Sequence, residues 1–150
     1  MMYKFSYQKI LDVKQIQEDQ KSTEVALAQN ELEEERITLL KLKSKKMKAL
    51  NNKKASNEST ADMLRNNSYF EQVNLTIDNQ KKQIQNKKNS LISKKSELLE
   101  ASKSRKILDK LKETDMKKFK FEQNKIEQKE LDEISAKIAY KKKENKSWEY

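Results

Sequence analysis

The chain has 150 residues and a formal charge of +10, with no Gly, Pro, Cys or His, where ordinary usage would supply about 7% Gly and 5% Pro. Without Gly, the Gly-dependent tight turns and the phosphate cradles of P-loops and dinucleotide folds are excluded; without His and Cys, so are imidazole bases, thiol nucleophiles, disulfides and the usual zinc ligands. With 34% hydrophobic and 39% charged residues, the chain lacks the apolar material for a sizeable core. Lys, Glu, Gln, Leu and Ala without helix breakers favour long amphipathic helices over disorder. The fold class expected is all-α, two long helices forming an antiparallel coiled-coil hairpin. The remaining Asp, Glu, Lys, Ser, Thr and Tyr form no catalytic constellation, so neither an enzyme nor a cofactor is expected.

In chain order, a first helix is expected over about residues 3–50. Its stripe is ragged: Val25, Ala28, Leu32, Leu39 and Leu42 share one register, while Tyr3, Tyr7 and Ile10 lie in a shifted one. A slip in phase near residues 16–24 reconciles the two. A turn follows over about residues 51–60, where Asn51, Asn52, Ser56, Asn57 and Ser59 gather; Asn and Ser compete with helical hydrogen bonds and tolerate left-handed backbone. Ser59 with Asp62 three residues later resembles a capping pair, so a second helix is expected from about 60 to 145.

That second helix carries the clearest pattern. Phe70, Ile77, Ile84, Leu91 and Leu98 recur every seven residues, and the register resumes at Phe119, Ile126 and Tyr140 after polar Arg105 and Lys112. A straight helix drifts about 20° per heptad, so a strict sevenfold stripe implies a left-handed supercoil against a partner helix. The companion positions Val73, Gln80, Lys87, Lys94, Ala101 and Leu108 are only half apolar, which makes the seam thin, with polar layers that fix register at a cost in stability. Folding back around Ser56 sets residue i beside roughly residue 112 minus i. That places Glu31, Glu33, Glu34 and Glu35 opposite Lys81 and Lys82. The same register exhausts the first arm near Lys110 and leaves about 40 residues, some 60 Å of helix, without a partner in the chain. Ile107, Leu108, Leu111, Phe119, Ile126, Leu131, Ile134 and Ile138 keep an apolar face there, and a bound partner is the simplest cover for it.

The opening MMYKFSYQKIL lacks the apolar core of a signal peptide, and no apolar run approaches the roughly 18 residues that cross a membrane; a soluble cytosolic chain is expected. The positive charge is nearly all Lys, Arg occurring only at Arg36, Arg65 and Arg105. Arg is the side chain suited to bidentate phosphate and base contacts, so the charge alone is weak evidence for a nucleic-acid partner. A Lys-rich tip (Lys41, Lys43, Lys45, Lys46, Lys48, Lys53, Lys54) nevertheless keeps open an alternative reading as a binder of nucleic acid or another anionic partner, and the coiled coil alone also fits a generic scaffold.

Tyr3-x-Phe5-x-Tyr7 followed by Gln8-Lys9-Ile10-Leu11-Asp12-Val13-Lys14 opens the chain. Arg105-Lys106-Ile107-Leu108-x-Lys110-Leu111-Lys112 leads to Glu127-Gln128-Lys129-Glu130-Leu131-Asp132-Glu133-Ile134 near its end. In order and spacing these blocks, with Tyr69 to Ile77 between them, resemble the FliJ family of the bacterial flagellar type III export apparatus. The resemblance implies a cytoplasmic coiled-coil stalk without chemistry of its own. Such a stalk binds the hexameric ring of the export ATPase FliI and the export gate FlhA, and is similar to proteins that escort empty export chaperones. It would be peripheral at the cytoplasmic face of the inner membrane through that apparatus. The equivalent stalk of a virulence-type injection system is poorly separated from it.

Carried over residue by residue, the family's gate-contacting surface falls on Thr38, Leu42, Tyr69, Val73, Thr76 and Gln80. Two further first-arm positions, aromatic in the family, are Lys45 and Ala49 here, a departure that weakens the first-arm half of the match. Val73 is equally an ordinary seam residue. The block Gln128, Lys129, Leu131, Asp132 and Glu133 closes the resemblance and sits on the unpaired segment, so it is expected to touch the ATPase ring; on its residues alone it also reads as a solvated helical face with favourably spaced charges. Its adjacent carboxylates diverge by about 100° on a helix, which disfavours a metal site.

Overall fold

The computed structural model describes residues 1–55 and 59–148, which form two α-helices and no strand: α1, Gln8–Ala55, and the longer α2, Thr60–Ser147. The two pack against each other as an all-α hairpin. Each runs uninterrupted because no Pro removes a backbone donor and no Gly lowers the cost of a left-handed residue. No described residue has positive φ.

The helix ends differ from the sequence reading in informative ways. α1 starts at Gln8 instead of about residue 3. Its first turn is tied by Gln8 N–H donating to the Phe5 carbonyl at 3.3 Å and Leu11 N–H donating to the Tyr7 carbonyl at 3.0 Å. At its far end α1 continues through Asn51 and Asn52 to Ala55, with Lys53 and Lys54 in the last turn where the negative helix end favours cations. Helix thus occupies the first half of the expected turn; Ser56, Asn57 and Glu58 lie outside the described residues. Ser59 caps α2: its hydroxyl accepts from Asp62 N–H at 3.3 Å and its carbonyl from Met63 N–H at 3.0 Å. The Asp62 carboxylate in turn accepts from the Ser59 hydroxyl at 2.8 Å. One otherwise unpaired donor of the first turn, the Asp62 N–H, is satisfied this way, and the Met63 bond is the first regular bond of the helix.

The contacts divide into two units, Met1–Val13 with the chain from Ser104, and Lys14–Lys103. In the Lys14–Lys103 unit the pairing is antiparallel. Lys21 reaches Glu97 at 2.9 Å and Lys87 reaches Glu31 at 3.0 Å, ten residues along α1 for ten back along α2. The expected register placed Glu31 opposite Lys81; the observed partner is Lys87, a displacement of about six residues, close to one heptad. Val25, Ala28, Leu32, Ile84 and Leu91 form the core, flanked by half-buried Leu39 and Leu98.

The phase slip expected in α1 is absent. Leu11, Glu18, Val25, Leu32 and Leu39 form one unbroken sevenfold series, each buried or half-buried, while Tyr7 and Ile10, taken as a shifted seam, are half exposed. Glu18 and Lys21 hold the seam where apolar residues are missing, their stems covering the surface while the Glu18 carboxylate accepts from the Ser102 hydroxyl at 3.3 Å and the Lys21 ammonium meets Glu97. No described side chain is fully buried and none of the buried ones is polar.

In the other unit, Phe5 and Leu11 are each 5% exposed beside half-buried Leu108, Lys112, Asp115, Met116 and Phe119. The Tyr3 ring packs against Phe119 with centroids 5.4 Å apart. Pairing therefore reaches Phe119, beyond the limit near Lys110 that the sequence register implied. From Asn124 to Trp148 every described residue is exposed.

Candidate partner-binding surfaces

Six of the residues singled out from sequence lie in the Lys14–Lys103 unit. Gln80 is half-buried, and its side-chain amide donates to the Glu35 carbonyl at 3.0 Å and to the Glu35 carboxylate. These contacts set Gln80 beside the α1 turn of Glu35, one turn before Thr38 and two turns before Leu42. Leu42 and Val73 are half-buried at seam spacing. Thr38 and Thr76 are exposed, but each hydroxyl donates back to a carbonyl one turn earlier, Glu34 at 3.0 Å and Gln72 at 2.9 Å, leaving the methyl groups and the hydroxyl lone pairs for any partner. Tyr69 is 44% exposed and stands edge-on against Phe70, with centroids 5.6 Å apart. Phe70 is itself half-buried under the Lys53 ammonium, 5.5 Å from its ring centre. Of this set, Tyr69 alone presents a large apolar side chain that the hairpin does not use.

The seam residues divide by depth. Ile77, Ile84 and Leu91 are buried, and Phe70, Leu98 and Phe119 are half-buried. Ile126 continues the sevenfold spacing, yet it is 50% exposed: pairing with the N-terminal segment stops at about Phe119, so the same periodicity that buries Ile84 leaves Ile126 in solvent.

The second group sits on the exposed C-terminal part of α2. Gln128 donates to the Asp132 carboxylate at 3.0 Å, one turn along the same helix, and Lys129, Leu131 and Glu133 are exposed. Leu131, Ile134 and Ile138 follow each other at steps of three and four and are each more than half exposed. This is an apolar ridge at the spacing one helix uses to pack on another surface. No group of acidic residues that could hold a metal ion occurs among the described residues.

Electrostatics tie the two helices together without forming a reactive centre. Lys87 and Lys94 beside Glu31 hold its carboxyl below the usual range, the hydrogen bond from Lys87 being the main cause. Glu97 is lowered the same way by Lys21, and both lysines are raised by their carboxylates. The pairs are solvent-exposed, where such bridges add little stability and are screened by salt. The Tyr3 phenol is raised, first by its partial desolvation against α2 and then by Asp115. Its hydroxyl lies 3.2 Å from the Asp115 carboxylate and 3.3 Å from the Lys112 carbonyl. The anchoring of the N-terminal segment by Tyr3 and Phe5 was missed from sequence, although Leu11, seven residues before Glu18 and fourteen before Val25, carried the signal for its place on the seam.

None of the described helices is long and apolar enough to cross a membrane. Residues 3–144 match the family model described as Flagellar FliJ protein. The chain is 30% identical over 140 residues to the Flagellar FliJ protein of Bacillus subtilis (strain 168), covering 91% of this chain and 95% of that protein. No solved structure matches it.

Proposed function

Since the chain belongs to the FliJ family of flagellar proteins, we propose that it serves the flagellar type III export apparatus as a non-catalytic stalk. In this role it binds the export ATPase FliI through the C-terminal part of α2 and the export gate FlhA through the surface around Tyr69. It couples the two and hands on export chaperones, and it resides at the cytoplasmic face of the membrane by way of these partners.

The observation that carries this reading is the exposed ridge of Leu131, Ile134 and Ile138 on a helix that continues well past its paired portion. A helix with an apolar ridge and no cover is built to be completed by another surface. A ring of subunits around it can bury the ridge at whatever rotation the helix presents. The absence of Gly and Pro suits a helix that must transmit position without kinking.

The experiment is co-purification of the full chain with the flagellar export ATPase of the same source, followed by ATPase assays with and without this chain. Capture together with stimulated hydrolysis is expected. Ile134→Ser with Ile138→Ser, at exposed positions that leave helicity unchanged, should abolish both. A wild-type chain that neither binds nor stimulates would defeat the proposal.

A further inference from the structure

The face of α1 turned away from its seam carries a second surface, between Ile37 and Lys54. Ile37, Leu40 and Met47 recur with Ser44 and Asn51 at steps of three and four, so they line one stripe that lies opposite the seam residues Leu39, Leu42 and Lys46 at Ile37 and Ser44 and reaches the flank of the hairpin at Met47, which borders a groove with Leu50, Ile77 and Lys81. The three apolar side chains are 44%, 65% and 61% exposed. At 100° per residue, Lys43 and Lys54 border the stripe on one side and Lys41, Lys45 and Lys48 on the other; all five are exposed. From Ile37 to Ala55 the chain holds seven Lys and no Asp or Glu. Among the described residues, Lys41, Lys43, Lys45 and Lys48 make no ion pair, in contrast with Lys21 and Lys87 farther along the hairpin.

We propose that this face of α1 is a docking surface for a bilayer rich in anionic lipid. An apolar stripe flanked on both sides by lysines is the pattern of a helix lying in the interfacial plane: Leu40 and Met47 enter the headgroup layer while the lysine stems lie along it and their ammonium groups meet lipid phosphates. The stripe extends about 21 Å along the helix, enough for several headgroups. The side chains argue against a nucleic acid. The stretch from Ile37 to Ala55 has no Arg for bidentate phosphate or base contacts and no aromatic for base stacking, whereas Lys serves as a flexible point charge toward a fluid anionic surface. The inference does not rest on the flagellar reading, because it needs no other protein.

The test is co-sedimentation of the full chain with phosphatidylcholine vesicles and with mixed phosphatidylcholine–phosphatidylglycerol vesicles, at low and raised salt. Binding to the mixed vesicles alone, weakened by salt, is expected. Lys41→Gln with Lys45→Gln and Lys48→Gln should weaken it on the order of a hundredfold, and Leu40→Ser with Met47→Ser about tenfold. All these positions are exposed, and circular dichroism should show both variants as helical as the parent chain. Failure of the parent chain to bind the mixed vesicles would overturn the proposal, as would binding that neither set of substitutions weakens. Displacement by RNA or polyglutamate combined with indifference to the Leu40 and Met47 substitutions would reassign the surface to a soluble polyanion and would equally overturn it.

Discussion

Replacing Ile84 by Ala tests whether the thin seam carries the stability of the Lys14–Lys103 unit. The change removes three methylene equivalents, each worth about 0.8 kcal/mol when buried. Ile84 is only 7% exposed, so nearly all of this, about 2.4 kcal/mol, is lost. The better helix propensity of Ala returns about 0.4 kcal/mol, leaving a net destabilisation of about 2 kcal/mol. The extra cavity cost that carries such substitutions toward about 5 kcal/mol in globular cores should be small, because a two-helix seam is one layer deep and open to water along both flanks. Ile92→Ala is the control. At 66% exposure it forfeits about 0.8 kcal/mol of burial and regains about half in propensity. Urea unfolding followed by far-UV circular dichroism reads both, and Ile84→Ala should cost several times as much as Ile92→Ala. Equal losses, or a loss below about 0.5 kcal/mol for Ile84→Ala, would mean that helix propensity rather than interhelical burial holds this unit together.

Removal of the α2 cap by Ser59→Ala should cost about 1 kcal/mol, and Ser59→Asn should restore most of it; equal unfolding midpoints for all three chains would show the cap to be irrelevant. Tyr3→Phe deletes the hydroxyl between Lys112 and Asp115 while keeping the ring on Phe119. It should weaken the docking of the N-terminal segment by about 1 kcal/mol, read as faster amide exchange over residues 8–13, and unchanged exchange there would count against the contact. The carboxyls of Glu31 and Glu97 are lowered on folding from an ordinary value of 4.5, so their contribution is present above pH 4.5 and lost as pH falls through the depressed folded values. Lys21 and Lys87 are raised from 10.5, so their share is present below 10.5 and lost as pH rises through the raised values. Glu31→Gln with Glu97→Gln should therefore flatten part of the acid limb of a midpoint-versus-pH curve at low salt; an unaltered limb would refute the pairing.

How far the fold could be read ahead of the structure depended on whether the relevant physics was local. The long helices follow from propensity and from the missing Gly and Pro. The Ser59 cap rests on a spacing of three residues, and the burial of Ile77, Ile84 and Leu91 on a spacing of seven. Asn51 and Asn52 misled because their preference for turns is worth only tenths of a kcal/mol in a helix, less than the packing available to half-buried Ala49, Leu50 and Lys53 around them. The apparent slip between residues 16 and 24 came from counting only apolar side chains. Glu18 and Lys21 keep the heptad with their stems, a use of charged residues that a hydrophobicity pattern does not register.

Of the surfaces offered to partners, the ridge of Leu131, Ile134 and Ile138 was visible as periodicity, while its lack of cover depended on where pairing stops. Periodicity marks both buried Ile84 and exposed Ile126 in the same way. The difference arises because Tyr3 and Phe5 extend the paired region to about Phe119, and every described residue from Asn124 onward is exposed.

The residues alone, through propensity and a sevenfold repeat, determined that this protein is two long helices with one narrow apolar stripe. Tertiary structure alone decided the register between them. Sliding antiparallel helices by one heptad returns apolar positions to apolar positions, so hydrophobic pattern cannot distinguish the two alignments. The choice falls to contacts that occur once in the chain, Gln80 on Glu35, Lys87 on Glu31 and Lys21 on Glu97, and that choice also determines which apolar side chains are left for something else to cover.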